Sequence, residues 1–168
     1  MGRLNIIAAT AVLIVSSPAL MHCAPLPSFA QSDAAPLRSD VRRIVNQIAS
    51  LPRGRASAER QQGLFDELIA IGSEGVPTLI ALMDDRRQLP WSAISLKNRS
   101  PDAFEGIRHY GPELMVDALA AVLNQITGEH FGFIYNGASN ADRAASVAAW
   151  REYLKSRLSS DLQAVPSD

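Results

Sequence analysis

Apolar side chains recur at the spacing of amphipathic α-helices along most of the chain from residue 39 onward. A first helix is predicted from four apolar residues at positions i, i+3, i+4 and i+7: Val41, Ile44, Val45 and Ile48. Pro52 ends it, because proline cannot donate the backbone hydrogen bond that a continuing helix requires. The spacing thus predicts one helical face turned toward a core.

A helical hairpin is predicted next. Its first helix begins near Ser57 and ends at Gly72, and its second begins around Gly75-Val76-Pro77, where proline suits the first helical turn. The loop between the two helices is only about three residues long, so we expect them to lie antiparallel.

Residues 86–110 interrupt this spacing. Between Pro90 and Pro101 the sequence allows at most a short extended piece. Helical spacing returns over residues 113–127 and 140–158, with Gly128 ending the first of these helices and Ser139 or Asn140 capping the second. The predicted fold is all-α, with helical hairpins packed as a short array or as a compact bundle of about five helices, and with an irregular insertion.

The hairpin over residues 57–85 resembles one HEAT-type repeat. In such repeats a glycine ends the first helix and a proline starts the second, as Gly72 and Pro77 do here. The segment 117–128, followed by Phe131-Gly132 and Trp150, is similar to the final helices of some exported bacterial HEAT-like proteins. The resemblance implies a HEAT-like domain over residues 39–158. Because one clean unit is followed by an insertion of about 25 residues, both the solenoid and the compact bundle stay open.

The N-terminus has a different pattern. Arg3 precedes an apolar run at residues 6–15, and Ser28-Phe29-Ala30 places small residues at the −3 and −1 positions of a cleavage site. This layout is typical of a secretory signal peptide, and the run is shorter than the roughly 20 apolar residues of a transmembrane helix. We expect residues 1–30 to be removed, with Ala19 as a second possible cleavage position. Lipidation at Cys23 is disfavoured, because the residue before a lipidated cysteine is normally small and His22 is not.

Removal of the leader determines where we expect the chain to be located and which composition the mature chain has. The product is predicted to be periplasmic or secreted, with no stable membrane insertion, a flexible lead-in at residues 31–38 and a disordered tail at residues 159–168. Without its leader the chain keeps 15 basic and 17 acidic side chains and has no cysteine. This composition disfavours nucleic acid as a partner, and it rules out disulfides and cysteine-bound metal in the mature chain. No cofactor is predicted.

Six of the ten aromatic residues fall between residues 91 and 135, in the segments without helical spacing. Loops held on a rigid scaffold often carry recognition, and aromatic and arginine side chains dominate interface anchors. The alternative is that these rings only attach the insertion to the helices. The predicted function is a non-catalytic protein-interaction or structural module of the cell envelope, which binds another protein through Trp91, Phe104, Arg108, Tyr110, Phe133 and Tyr135.

An enzymatic alternative stays open beside this prediction. Glu105, His109 and Glu113 stand at i, i+4 and i+8, which would place three metal ligands on one face if the segment were helical. Glu113 and Asp117 are also candidates for general acid–base chemistry, but the expected explanation of these carboxylates is a solvated polar face on the helix at 113–127. The alternative function is therefore a small periplasmic hydrolase or metal-dependent enzyme that uses these carboxylates and His109.

Overall fold

The computed structural model describes residues 29–98 and 104–163, which form five α-helices and a two-stranded sheet. In chain order the elements are α1 (Phe29–Ser50), α2 (Ala58–Ile71), α3 (Val76–Ala81), β1 (Ile94–Lys97), β2 (Ile107–Tyr110), α4 (Met115–Thr127) and α5 (Asn140–Gln163). Short 3₁₀ turns lie directly before α2 and α3, at Arg55–Ser57 and Gly72–Gly75. None of the helices in this part of the chain combines the length and apolar content that crossing a bilayer requires.

The prediction of an all-α fold is confirmed in part: the fold is mostly helical, but it also contains a small two-stranded sheet. The irregular insertion contains an antiparallel pair of strands, in which Ile94 pairs with Tyr110 and Leu96 pairs with Arg108. Only one residue of β2 is buried, so this strand lacks the alternation of apolar and polar positions by which strands are recognised. Its conformation depends on pairing with β1, which lies about ten residues away along the chain.

Helix α1 starts earlier than the sequence predicts. It includes residues 31–38, which were expected to form a flexible lead-in, and the predicted cleavage position Ala30 falls in its first turn. Helix α5 likewise continues past Leu158 to Gln163. Residues 1–28 of the predicted leader (1–30), which include Ala19 and Cys23, and residues 164–168 of the tail lie outside the described residues.

The predicted helix ends are confirmed where capping residues specify them. Pro77 lies in the first turn of α3, and Gly128 follows α4 in the left-handed conformation at φ 77°. The backbone N–H of Gly128 donates to the carbonyl oxygen of Asn124 at 2.9 Å. At the start of α5 the Ser139 hydroxyl accepts the Asp142 N–H at 3.1 Å, which is the hydrogen bond of an N-cap.

Helix α4 forms the centre of the core. All nine residues from 115 to 123 are buried, and the helix packs against α2, α3 and β1. Three of those residues are alanines, whose small side chains let neighbouring elements approach closely. The helix at 113–127 is therefore surrounded by protein over its first two turns, and the prediction of one solvated polar face on it is wrong.

Two glutamines of α2 hold the insertion to the helices. The Gln61 side chain donates to the Trp91 carbonyl at 2.8 Å and accepts the Trp91 N–H at 3.0 Å. The adjacent Gln62 makes the same pair of bonds with Ser95, at 2.6 and 2.8 Å. These side-chain amides pair with the backbone N–H and C=O groups of Trp91 and Ser95 as a neighbouring strand would. The insertion is therefore attached to α2 at two points, one just before β1 and one within it.

Candidate functional site

A groove with a cavity of about 600 Å³ lies where β2, the last turn of α4 and the loop at 129–139 meet. This volume is in the range of roughly 300–1,000 Å³ that is usual for ligand-binding pockets. The lining residues combine polar groups with aromatic rings: Asn98, Arg108, Asn124, Gln125, Ile126, Thr127, Gly128, His130, Phe133 and Tyr135. Three separate parts of the chain thus contribute to one concave surface.

The structure brings half of the predicted interaction residues together in this groove. Arg108, Phe133 and Tyr135 line it, and Tyr110 is buried beside Tyr135. Phe104 is fully exposed on the loop that leads into β2, outside the groove lining. Trp91 is half-buried at the attachment to α2. The six residues therefore do not form one continuous face.

The strand geometry of β2 places Arg108 at the groove. Arg108 and Tyr110 are two residues apart and so project from the same face of the strand. Their cross-strand partners in β1 are the buried residues Leu96 and Ile94, respectively. Tyr110 fills the core on this face, while Arg108, which is exposed, reaches the groove. The intervening residue His109 lies on the other face of the sheet.

Aromatic rings connect the core to the groove in a series of edge contacts. The rings of Tyr110 and Tyr135 lie 5.6 Å apart at an angle of 68°, and those of Phe133 and Tyr135 lie 6.4 Å apart at 90°. His130 packs against Phe133 with ring centroids 5.4 Å apart. Edge-to-face pairs at these distances are favourable and hold the rings in defined orientations. The groove therefore has one wall of positioned aromatic side chains.

The hydroxyl groups of the two buried tyrosines have different environments. The Tyr110 hydroxyl accepts a hydrogen bond from Nε2 of Gln125 at 2.8 Å. The Tyr135 hydroxyl is buried and has no hydrogen-bond partner among the described residues. Burial raises the pKa of Tyr135 to about 12, Tyr110 adds to the rise, and Arg108 opposes it. Tyr135 is therefore a neutral hydrogen-bond donor at physiological pH.

The charge of the groove is neutral to positive. Its described lining residues include Arg108 and His130 and contain neither aspartate nor glutamate. The last turn of α4 also lines it, and the carbonyl groups at a helix C-terminus carry a partial negative charge. The positive charge of Arg108 and the negative end of the α4 dipole therefore oppose each other at the groove.

Phe133 lies between this groove and a second cleft. The second cleft has a volume of about 470 Å³ and is lined largely by small residues, among them Gly132, Ala138, Ala145 and Ala149. Phe133 lines both concavities, and 82% of its surface is exposed. A large apolar side chain flanked by two hollows extends the candidate surface beyond the groove itself.

The residues of the enzymatic alternative are separated by the fold. His109 lies on β2, so the helical stacking of Glu105, His109 and Glu113 that metal binding would need is absent. The His109 ring nitrogen Nδ1 instead lies 2.8 Å from the Ser95 hydroxyl across the sheet, and Glu105 is exposed. The part of the chain that the structure describes contains no group of three His, Cys, Asp or Glu side chains that could hold a metal ion.

Asp117 and Glu113 both contact Arg143 of α5. Asp117 is fully buried, and its two carboxylate oxygens accept Nε and Nη2 of Arg143 at 2.7 and 2.8 Å. Its Oδ2 also accepts the backbone N–H groups of Glu113 and Leu114, which caps α4. The hydrogen bonds of Arg143 to Asp117 and, less strongly, to Glu113 hold the pKa of Arg143 above its ordinary value. The carboxylate of Asp117 thus has a structural role that neither sequence interpretation included.

Asn124 and His130 are groove residues that the sequence interpretation did not select. They lie on either side of Gly128, where the left-handed turn reverses the chain, and Nδ2 of Asn124 donates to the Glu129 carbonyl at 2.9 Å. The helix-ending glycine was the available signal, because a tight turn brings the residues on its two sides together. Which surface they would share could not be read from the sequence.

Comparison of the chain with known proteins gives no match among family models, curated proteins or solved structures. Function is therefore inferred from the chemistry and shape of the groove and its surroundings.

Proposed function

We propose that this chain is a non-catalytic protein-interaction module of the bacterial cell envelope. Its contact surface would consist of the groove, Phe133 and the second cleft. The observation that carries the proposal is the position of Phe133, a largely exposed aromatic ring between two concavities. An exposed aromatic anchor beside preformed hollows is the arrangement that buries well against a partner and dominates binding energy.

The surroundings of Phe133 favour a protein partner over a small molecule. The two concavities share Phe133 as a lining residue, and exposed Phe104 and Ile107 lie on the segment that leads into Arg108. The loop at Phe133 is anchored in the core, because Ile134 and Tyr135, the two residues that follow Phe133, are buried.

The contacts of the candidate catalytic residues do not support the enzymatic alternative. Glu113 and Asp117 are both paired with Arg143, and His109 faces Ser95 on the sheet surface away from the groove. A general base has to reach a substrate proton, and the buried carboxylate of Asp117 is occupied by four hydrogen bonds.

We also infer that the helices form a compact bundle rather than a solenoid. Helix α3 contacts α5, which begins about 60 residues further along the chain, as well as α1 and α4, whereas a solenoid repeat contacts only its neighbours. The resemblance of the α2–α3 hairpin to a HEAT-type repeat stays a prediction. The placement in the envelope has its support in the apolar run at residues 6–15, and a mature N-terminus at Gln31 in a periplasmic fraction would test it.

The interaction proposal is tested by comparing partner capture from envelope extract by wild type, Phe133→Ala and Leu158→Ala. Leu158 is the matched control, since it is also a large exposed apolar residue but lies on α5 outside both concavities. We expect one or more proteins to bind wild type and Leu158→Ala and to be lost with Phe133→Ala. The purified partner should then bind Phe133→Ala at least about tenfold more weakly, as for an interface hot spot. Equal recovery by all three proteins, or no specific recovery at all, would contradict the proposal.

A further inference from the structure

The outer edge of β1 is closed by side chains of α2. Gln62 bonds to both the N–H and the C=O of Ser95, and Gln61 bonds in the same way to Trp91 just before the strand. Unpaired backbone groups along an exposed edge are a template for pairing with another chain, and proteins commonly cover such an edge. The edge of β1 is therefore unavailable to a further strand.

The outer edge of β2 is open at two residues. The N–H of Asn98 donates to the C=O of Gly106 at 2.9 Å, and hydrogen-bonded pairs alternate with non-hydrogen-bonded pairs along an antiparallel ladder. The N–H and C=O groups of Ile107 and His109 therefore point away from β1. None of these backbone groups has a hydrogen-bond partner among the described residues. The edge thus offers donors and acceptors to a strand beside it.

The segment around this edge is exposed and partly apolar. Each of the residues from 104 to 109 is exposed, and among them Phe104 is fully exposed and Ile107 is 52% exposed. Isoleucine is one of the residues that strands prefer, because its branched side chain packs against a cross-strand neighbour. The open edge therefore combines unpaired backbone groups with an apolar side chain.

From this arrangement we infer that two copies of this chain pair through their β2 edges, antiparallel and about a twofold axis at Ile107. The N–H of Ile107 in each copy donates to the C=O of Ile107 in the other, and the two side chains meet on one face of the sheet. The strands of both copies then form one four-stranded sheet. The inference goes beyond the proposed function, because the proposed partner surface is the groove, Phe133 and the second cleft.

Two other registers of the same pairing are unfavourable. Pairing about Arg108 would place two guanidinium groups directly opposite each other, and like charges at that position destabilise a strand pair. Pairing about His109 would place Ile107 opposite Gly111 of the other copy. The N–H of Gly111 is already accepted by the side-chain oxygen of Asn136 at 2.7 Å, so this register loses a hydrogen bond at each end.

The register about Ile107 has complementary charges instead. It places Arg108 of each copy opposite Gly106 of the other copy, and His109 opposite Glu105. The basic half of each strand thus lies beside an acidic residue, and the twofold axis repeats this contact on both sides of the centre. Self-complementary charge is what an interface between identical copies requires, so a second copy of this chain fits the edge.

Sedimentation equilibrium of the purified chain from about 5 µM to 1 mM tests the pairing. We expect a monomer–dimer equilibrium with a dissociation constant of about 10–500 µM, because the contact is smaller than a standard interface. Ile107→Pro removes the outward N–H from both copies and should weaken dimerisation about tenfold or more. Proline is tolerated at this position because the N–H takes no part in the pairing with β1. Ile107→Val, the matched control, keeps that N–H and should stay within about threefold of wild type.

A charge reversal gives a second test that leaves the backbone unchanged. Glu105→Lys would place like charges beside Arg108 and His109 of the other copy, and should weaken dimerisation about threefold or more at low ionic strength. Glu152→Lys makes the same change at an exposed position of α5 and should dimerise like wild type.

NMR of a mixture of ¹³C-labelled and unlabelled chains identifies the register. Backbones approach most closely across non-hydrogen-bonded pairs, so an Hα–Hα contact is expected between Arg108 of one copy and Gly106 of the other. Contacts between Arg108 and Arg108, or between Arg108 and Tyr110, would indicate the two registers that charge and Asn136 disfavour.

Four results would overturn the inference. They are a monomer at every concentration up to about 1 mM, a dimer that Ile107→Pro leaves unchanged, a dimer that Glu105→Lys leaves unchanged, and intermolecular contacts in either of the other registers. Capture of a different protein that Ile107→Pro abolishes, with the chain itself monomeric, would also overturn it, since the edge would then take another partner. The proposed function is tested separately by Phe133→Ala, which leaves the backbone of β2 unchanged.

Discussion

The buried ion pair between Asp117 and Arg143 makes the strongest prediction about stability. Replacement of Asp117 by asparagine keeps the shape of the side chain and removes its charge. Arg143 would then be a buried cation, because only 6% of its side chain is exposed. Its remaining acidic contact would be Glu113, whose side chain is 66% exposed. Removing one partner of a buried pair is far more costly than removing one partner on the surface.

The expected magnitude follows from the contacts that are lost. A broken buried ion pair destabilises by about 3–5 kcal/mol, and the weaker acceptor at the start of α4 adds to this. A domain of this size has about 5–15 kcal/mol of stability in total, so Asp117→Asn should remove a large part of it. The melting temperature should fall by about 10–20 °C.

Urea unfolding followed by circular dichroism measures the effect in a double-mutant cycle with Arg143→Met. The two single variants should each lose several kcal/mol, and the double variant should be more stable than their sum by about 1–3 kcal/mol. Asp84→Asn is the matched control, because Asp84 pairs with Arg151 at an exposed site and should cost at most about 1 kcal/mol. Additive losses in the cycle, or an Asp117→Asn cost as small as that of the control, would refute the reasoning.

Four further predictions concern single groups. Tyr135→Phe should increase the free energy of unfolding by about 1 kcal/mol in urea titrations, because it removes a buried donor without a protein partner; a loss would show that the hydroxyl stabilises the fold. The phenolate absorbance of wild type should include a step near pH 12 that the Tyr135→Phe spectrum lacks. The free energy of unfolding of wild type should fall as the pH rises from about 10 to 12, since the folded chain keeps a proton on Tyr135 that the unfolded chain releases. A rise in stability over that interval would contradict the assignment. Ser139→Ala should cost about 1 kcal/mol through loss of the α5 cap, measured by thermal unfolding against Ser160→Ala, an exposed serine in the same helix. Gly128→Ala should cost about 1–2 kcal/mol, because alanine is strained at positive φ, and a neutral result would mean that the turn relaxes.

Local signals in the sequence were sufficient for the helix ends. Gly72, Pro77, Gly128 and Ser139 each act on the backbone within one turn, so their effect does not depend on the rest of the fold. The strand β2 could not be predicted in this way. Three of its four residues are exposed, and its conformation is determined by pairing with β1, which two glutamines attach to α2.

The burial of α4 on all sides could have been predicted from the sequence. Residues 115–123 contain a single polar side chain, Asp117, and a helix that is apolar on all sides is expected to be buried on all sides. The apolar stripe alone suggested an amphipathic helix at the surface. The sequence could not reveal the partner of Asp117, since Arg143 is 26 residues away and reaches Asp117 only when the fold brings the start of α5 to α4.

The groove illustrates the same division between local and long-range information. That Arg108, Phe133 and Tyr135 would share a surface was predicted from their concentration in segments without helical spacing. That Trp91 and Phe104 would lie elsewhere depends on the sheet register and on the bonds of Gln61, neither of which a sequence pattern specifies. A residue lines the groove only where β2, the end of α4 and the loop at 129–139 come together, and these segments are distant along the chain.

Tyr110 and Tyr135 differ in the pairing of their hydroxyl groups although their ring environments are alike. The two rings are chemically identical, lie in edge contact and are almost equally buried, yet only the Tyr110 hydroxyl has a partner, at Gln125. Phenylalanine at position 135 would make the same ring contacts without the desolvation cost of an unpaired hydroxyl. Folding alone therefore gives no benefit from that oxygen atom.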